Sequence, residues 1–232
     1  MLVVLAGCGT PPTVETQPAP RPSALPRIQP APTARPTSTI RPTPTLFVPG
    51  PLFDPRLDLK SSPIPVPLAL QIPALKVNAP VLAVGLTADN FMDAPKGPIG
   101  DPIWGTAFWY RGGGIPGAIG TATIAGHVDD PLGRPEIFAH LGDLHRGDLI
   151  IVELTNSGVD IRFTVTQTNV YSVQQASKKA VLEQIFGAGP VAGIGPLPAP
   201  DGLSHLTLIT CTGNIVQGEF DHHTVVYATR SP

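Results

Sequence analysis

From residue 66 onward, apolar and polar positions alternate in short bursts, each broken by Gly, Pro, Asn or Asp. Runs rich in Val, Ile and Leu at 68–73, 79–85, 105–110, 119–126, 148–154, 159–172, 204–210 and 224–229 predict strands. Successive side chains of a strand point to opposite faces, so a period of two marks elements with one face against a core. Short strands divided by turn residues specify an all-β domain, a single antiparallel sandwich or barrel. One stretch departs from the rhythm. In "VQQASKKAVLEQIF" (173–186), Ala176, Ala180, Val181, Ile185 and Phe186 recur at helical spacing, which predicts one or two short helices. A Gly/Pro-rich loop at 187–203 follows, and no internal repeat is visible. The domain at 67–232 is long enough to bury a core of its own.

Upstream the pattern disappears. Residues 11–66 are rich in Pro, Thr, Ala and Arg, and seventeen of the thirty prolines lie within residues 1–70. Such a segment buries too little apolar surface to offset its ordering entropy, so a disordered, Pro-rich linker is expected there. With polyproline II character it would reach on the order of 150 Å when extended. The formal net charge of −2 comes without a basic cluster, which argues against nucleic acid as a partner. Two cysteines, Cys8 and Cys211, are too few for a disulfide framework. Residues 1–10 are apolar up to Cys8, and Leu5-Ala6-Gly7-Cys8 resembles a bacterial lipobox. That resemblance implies lipidation at Cys8 and attachment to a membrane through the N-terminus. The seven residues before Cys8 include no basic one, unlike the start of a full secretory signal.

The candidate chemistry lies in "HLTLITCTGN" (205–214), where a cysteine sits at the edge of an alternating run and Thr-Gly-Asn signals a loop. Thr210 and Thr212 are small hydroxyl neighbours that leave the sulfur approachable and are candidates for substrate contact. Thiolate is the nucleophilic form, so a useful thiol needs an imidazole or a cation beside it. Six histidines are available. His205 shares the strand, but six extended residues put it about 20 Å away. His140 and His145 occupy a turn-rich crossover. His127 ends another alternating run, "TATIAGH", where Gly126 gives backbone freedom. Two strands of one sheet, each ending in a reactive side chain, supply the geometry of a Cys–His pair. A metal set drawn from His127, Asp129, Asp130, His222 and His223 is a weaker alternative to polar loop residues, and no metal or other cofactor is expected.

Thr207-Leu208-Ile209-Thr210-Cys211 matches the TLxTC signature of sortases, cysteine transpeptidases of bacterial surfaces, and Ala125-Gly126-His127 matches their histidine motif. The resemblance runs through residues 67–229, and Phe108-Trp109-Tyr110 looks most like the subgroups called class E and class F. It implies an eight-stranded β-barrel. It also implies Cys211 attacking between Thr and Gly of an LPxTG-like sorting signal to give a thioester, with His127 as general acid and base. The partners it implies are the sorting-signal peptide and an amine acceptor, either a cell-wall precursor or a pilin lysine. The implied place is the outer face of the cell membrane or the cell wall. Residues 173–203 correspond to the segment that grips the signal in sortases. At the position of the family's arginine this chain has His223, with His222 beside it; Arg230 lies seven residues further on. A protonated His223, or a guanidinium from Arg111 or Arg134, are the candidates to replace that cation. A degenerate, non-catalytic binding domain is the alternative reading.

Overall fold

A computed structural model describes residues 59–187 and 199–231. Cys8, the expected anchor at 1–10, the linker up to residue 58 and the stretch 188–198 lie outside the described residues. Eight strands form a closed barrel: β1 (Ile64–Ile72), β2 (Val77–Val84), β3 (Ala107–Tyr110), β4 (Gly120–Gly126), β5 (Leu149–Leu154), β6 (Val159–Ser172), β7 (Ser204–Val216) and β8 (Glu219–Arg230). Their order around the barrel is β1-β2-β3-β4-β7-β8-β6-β5, and β5 closes onto β1. Two neighbouring pairs are parallel, β2 with β3 and β4 with β7, and the others are antiparallel. The eight-stranded all-β barrel expected from the sequence is therefore present. β1 starts at Ile64, inside the stretch assigned to the linker, because Ile64 and Pro65 already pair with Ala83 and Leu82.

The alternation does what the sequence pattern requires. Leu206 and Leu208 of β7, Val226 and Ala228 of β8, and Ala122 and Ile124 of β4 point into one central core with Trp109, Phe138 and Phe163. Odd positions of β7 and β8 point outward. There Ile209, Val225 and Tyr227 form a second, smaller cluster with Ile185, Val181 and Phe186. Removing one fully buried leucine from such a core, Leu208 for example, costs about 2–5 kcal/mol.

The helical stretch at 173–186 is broken into α1 (Val173–Ala176) and α2 (Lys179–Phe186). Ser172 caps α1 by a reciprocal capping box with Gln175, while Lys178 returns to extended backbone (ψ 136°) and restarts the chain as α2. The apolar face of α2 closes one end of the second cluster, and Tyr110 meets Phe186 edge to face at 5.6 Å.

The strand carrying Cys211 does not end there. β7 continues to Val216 and turns through Gln217 (φ 55°) and Gly218 (φ 87°) into β8. Two successive residues with positive φ make a tight hairpin turn that matches strand twist. Thr-Gly-Asn marks a bulge between Thr212 and Ile215, with Gly213 at φ 91°, rather than the start of a loop.

Candidate active site

Three strands bring the candidate residues together. In the parallel pair, Ile124 lies opposite Leu208 and Ala125 opposite Ile209. Continuing that register sets Gly126 beside Thr210 and His127 level with Cys211. Thr210 Oγ1 donates to the Gly126 carbonyl at 2.8 Å and carries the pairing past the last ladder residues. On the other side, the antiparallel partner β8 sets His223 directly opposite Cys211. Directly opposite residues of an antiparallel pair have Cβ atoms about 4.5–5.5 Å apart, so Cys211 and His223 are cross-strand neighbours, and by register Cys211 lies between His127 and His223.

All three groups belong to the outer wall of the barrel. Cys211 and His223 share the outward parity of Ile209 and Val225, and His127 that of Thr123, whose hydroxyl reaches the Ile185 carbonyl of α2 at 2.7 Å. α2 covers this wall at Ile185, Val225 and Tyr227, at some distance along the strands from Cys211. Cys211 is a free, half-buried thiol.

His127 sits in an aromatic bracket. Its ring lies 4.7 Å from that of Trp104 and 5.3 Å, edge on, from Phe108 of β3. The bracket is held by the chain between β2 and β3. A short 3-10 turn at Pro102–Gly105 is capped by Asp101, whose carboxylate accepts from Ile103 N, and Trp104 Nε1 donates to the Pro98 carbonyl at 2.9 Å. Just ahead of it, the Pro95 carbonyl lies 2.9 Å from His127 Nε2. A carbonyl only accepts, so in neutral His127 the hydrogen is on Nε2 and Nδ1 keeps the free lone pair.

Burial sets the resting protonation. It pushes the Cys211 thiol up, with the Glu219 and Asp129 charges adding to the rise and Lys96 opposing it. It pulls His127 down, against a counter-effect from the Pro95 hydrogen bond, with Lys96 adding to the fall and Glu136 and Asp129 opposing it. His223 is likewise lowered, by burial first, against a hydrogen bond with the Thr210 backbone. At neutral pH the pair is therefore a thiol beside neutral imidazoles. His223 as a protonated stand-in for the missing arginine is disfavoured by the same burial.

Several other expectations change. Thr210, expected at the substrate surface, is buried and turned into the barrel toward Gly126. The strand alternation that points Cys211 outward sends its neighbours Thr210 and Thr212 to the other face. Neither alternative arginine replaces the cation. Arg111 is buried beyond the end of β3 and donates to the Ser61 and Ser62 carbonyls, while Arg134 is bound to the buried Asp130 carboxylate. Arg230 donates to the Gly117 carbonyl at 2.7 Å, seven residues along β8 from His223. The metal set does not converge either: Asp130 holds Arg134 and His222 pairs with Asp221 at 2.7 Å. Among the described residues no three His, Cys, Asp or Glu side chains gather as a metal-holding group. His205 stays with Asp201, at 2.9 Å.

Sequence reasoning missed Pro95, Lys96, Trp104 and Phe108. They lie in or next to the β2–β3 connection, where no periodicity reports a long-range contact. The Asp101-Pro102 dipeptide was the available signal, since proline favours the first position of a helical turn after an acidic cap. Gly126 also has a different reason than the one inferred. It is not at positive φ; a Cβ there would stand 2.7 Å from the ring of Phe138.

A closed eight-stranded barrel carries on its outer wall a free cysteine in register between two histidine positions, and this combination defines a class of protein. Residues 70–231 match the model of the Sortase domain, and the chain belongs to the sortase family. Members of that family are cysteine transpeptidases. Among solved structures it is similar to sortase A from Corynebacterium diphtheriae, at 20% identity over 73% of this chain and 62% of that one, with a TM-score of 0.49. A pilus-related sortase C of Group B Streptococcus is 18% identical over 71% of this chain and 66% of that one, TM-score 0.47. A Clostridium perfringens sortase D5 transpeptidase is 15% identical over 71% and 78%, TM-score 0.46. The chain thus spans under two thirds of the corynebacterial sortase A it matches. No curated protein sequence matches it.

Proposed function

We propose that this protein is a cysteine transpeptidase that cleaves an LPxTG-like sorting signal between Thr and Gly and passes the acyl group to an amine. The observation that carries the reading is the placement of Cys211 in register between His127, just past β4, and His223 on β8. The proton leaves the Cys211 thiol for Nδ1 of His127, and the sulfur attacks the Thr carbonyl carbon. His127 then gives that proton to the departing Gly nitrogen as the C–N bond breaks, leaving a thioester on Cys211. An amine, from a cell-wall precursor or a pilin lysine, attacks the thioester, loses its proton through His127 and regenerates the thiol.

The route for the signal follows the outer wall. A cavity of about 450 Å³ lies between the end of α2 and β7–β8, lined among others by Gly187, Glu183, Thr207 and Tyr227. Thr207 is four extended residues from Cys211, about 13 Å, the span of a four-residue peptide ending at the scissile bond. This supports a grip on the Leu-Pro end by the 173–203 segment, of which 188–198 falls outside the described residues. The class E or F likeness rests on Phe108-Trp109-Tyr110. Lipidation at Cys8 would hold the enzyme at the outer face of the membrane; incorporation of labelled fatty acid, lost in Cys8→Ala, tests that placement.

The activity is tested by incubating the full chain with LPxTG-type peptides and hydroxylamine, with Cys211→Ala beside it. A hydroxamate ending at Thr, formed only by the unmodified chain, supports the reading. Equal product from both proteins removes Cys211 from the mechanism. A non-catalytic binding domain draws support from His223 at the arginine position, and it predicts peptide binding with no hydroxamate from either protein.

A further inference from the structure

Among the described residues the site has a nucleophile and a base but no guanidinium, and partial burial lowers both of its imidazoles. A transferring acyl group puts negative charge first on the sulfur and then on the carbonyl oxygen, and a cation facing that charge is worth most where water is thinned. The charged groups facing Cys211 come from three segments. Glu219 on β8 and Asp129 just after β4 are both acidic and oppose ionisation, while among the described residues Lys96, in the β2–β3 connection, is the cation that favours it. His222, next to His223, is engaged with Asp221.

The connection places Lys96 for this role by two fixed points. Pro95, its immediate neighbour, is hydrogen-bonded through its carbonyl to His127, and Pro98 is hydrogen-bonded to the Trp104 indole that packs on the same imidazole. The peptide before Lys96 is thus tied directly to the residue level with Cys211, and the chain two residues after it is tied to that residue's aromatic neighbour. Its own side chain is exposed and makes no hydrogen bond or ion pair with any described residue. A tethered backbone with an exposed, uncommitted ammonium is the arrangement expected of a charge kept for a ligand rather than for the fold.

We propose that Lys96 supplies the positive charge of this site, facing the ionised sulfur and the oxygen anion that forms beside it, in place of the arginine that β8 does not carry. The inference rests on the transpeptidase reading for the oxygen anion but not for the sulfur, which can be read without a substrate. Lys96 favours thiolate and neutral His127 together, so one ammonium keeps the nucleophile ionisable and the base free to accept a proton.

The test uses the full chain with Lys96→Arg, Lys96→Gln and Lys96→Glu. Cys211→Ala is the blank for Cys8. The pH dependence of Cys211 alkylation by iodoacetamide is followed at low and high salt. The expected order of rates at pH 7 is Lys and Arg alike, Gln about threefold slower and Glu about tenfold slower, converging in 1 M salt. Peptide turnover should fall in the same order, in kcat more than in KM. Equal alkylation profiles across the series, at matched thermal stability, overturn the inference whatever the turnover. A graded profile with no turnover by any variant upholds the charge at the sulfur and overturns the transpeptidase reading instead. A loss shared by Arg and Glu variants assigns Lys96 a purely structural part and also overturns it.

Discussion

Gly126→Ala is the perturbation that isolates how the fold aims His127. A Cβ at this position meets Phe138 Cδ2 at 2.7 Å, Phe138 Cε2 at 2.9 Å and Ile137 Cδ1 at 2.9 Å. Phe138 is completely buried in the main core, so its ring has no open space to move into. Forcing one methyl group against a packed ring costs about 1–3 kcal/mol. At this domain size that lowers Tm by roughly 3–10 °C. Because Gly126 precedes His127 and its carbonyl receives the Thr210 hydroxyl, relief by backbone movement also shifts the imidazole away from Cys211. The assay pairs a thermal melt with peptide turnover, using Gly105→Ala as control, since no atom lies within 4 Å of a Cβ at Gly105. Adding Phe138→Leu should recover part of the loss, a non-additive pair typical of residues in contact. An unchanged Tm and turnover in Gly126→Ala would refute the reasoning, as would simple additivity with Phe138→Leu.

Three further outcomes follow from the same geometry. Because burial raises the Cys211 thiol, alkylation in the native protein should increase with pH to a midpoint above the ordinary thiol value, and fall back to that value in urea; a native midpoint below it contradicts the electrostatics. His223→Arg should lower that midpoint and raise turnover at neutral pH by placing a permanent cation opposite Cys211; a midpoint that stays put or rises is the contrary result. Trp104→Ala removes a nearly buried ring and the Pro98 tie, with a stability loss of about 3–5 kcal/mol. It should also move His127 up toward the usual imidazole value as water reaches it, and an unshifted His127 resonance in an NMR titration would speak against burial as the cause.

The strands were legible because each buries one face and so imprints a period of two; the β7 run with Leu206 and Leu208 is the plainest case. The helical stretch at 173–186 was legible as one or two short helices, but not the place of the break, since Lys178 is a backbone turn without a Gly or Pro to announce it. Thr212-Gly213-Asn214 carried turn chemistry, yet a bulge and a loop use the same residues, and only the pairing of Ile215 with Phe220 separates them. Cys211 and His127 were singled out as candidates by strand position and motif. Their surroundings were not: the Pro95 carbonyl and the Trp104 ring reach His127 from an irregular segment 23 to 32 residues away, and nothing local in that segment encodes the contact. Thr210 was misassigned by ignoring parity, which the sequence does contain.

Intact-protein mass spectrometry of the full chain mixed with an LPxTG-type peptide reads directly whether Cys211 carries the acyl group. The expected result is an adduct equal to the peptide up to Thr on Cys211, released by hydroxylamine, absent in Cys211→Ala and much slower to form in His127→Ala. A chain that cleaves the peptide with no such adduct, or an adduct that persists in Cys211→Ala, would contradict it.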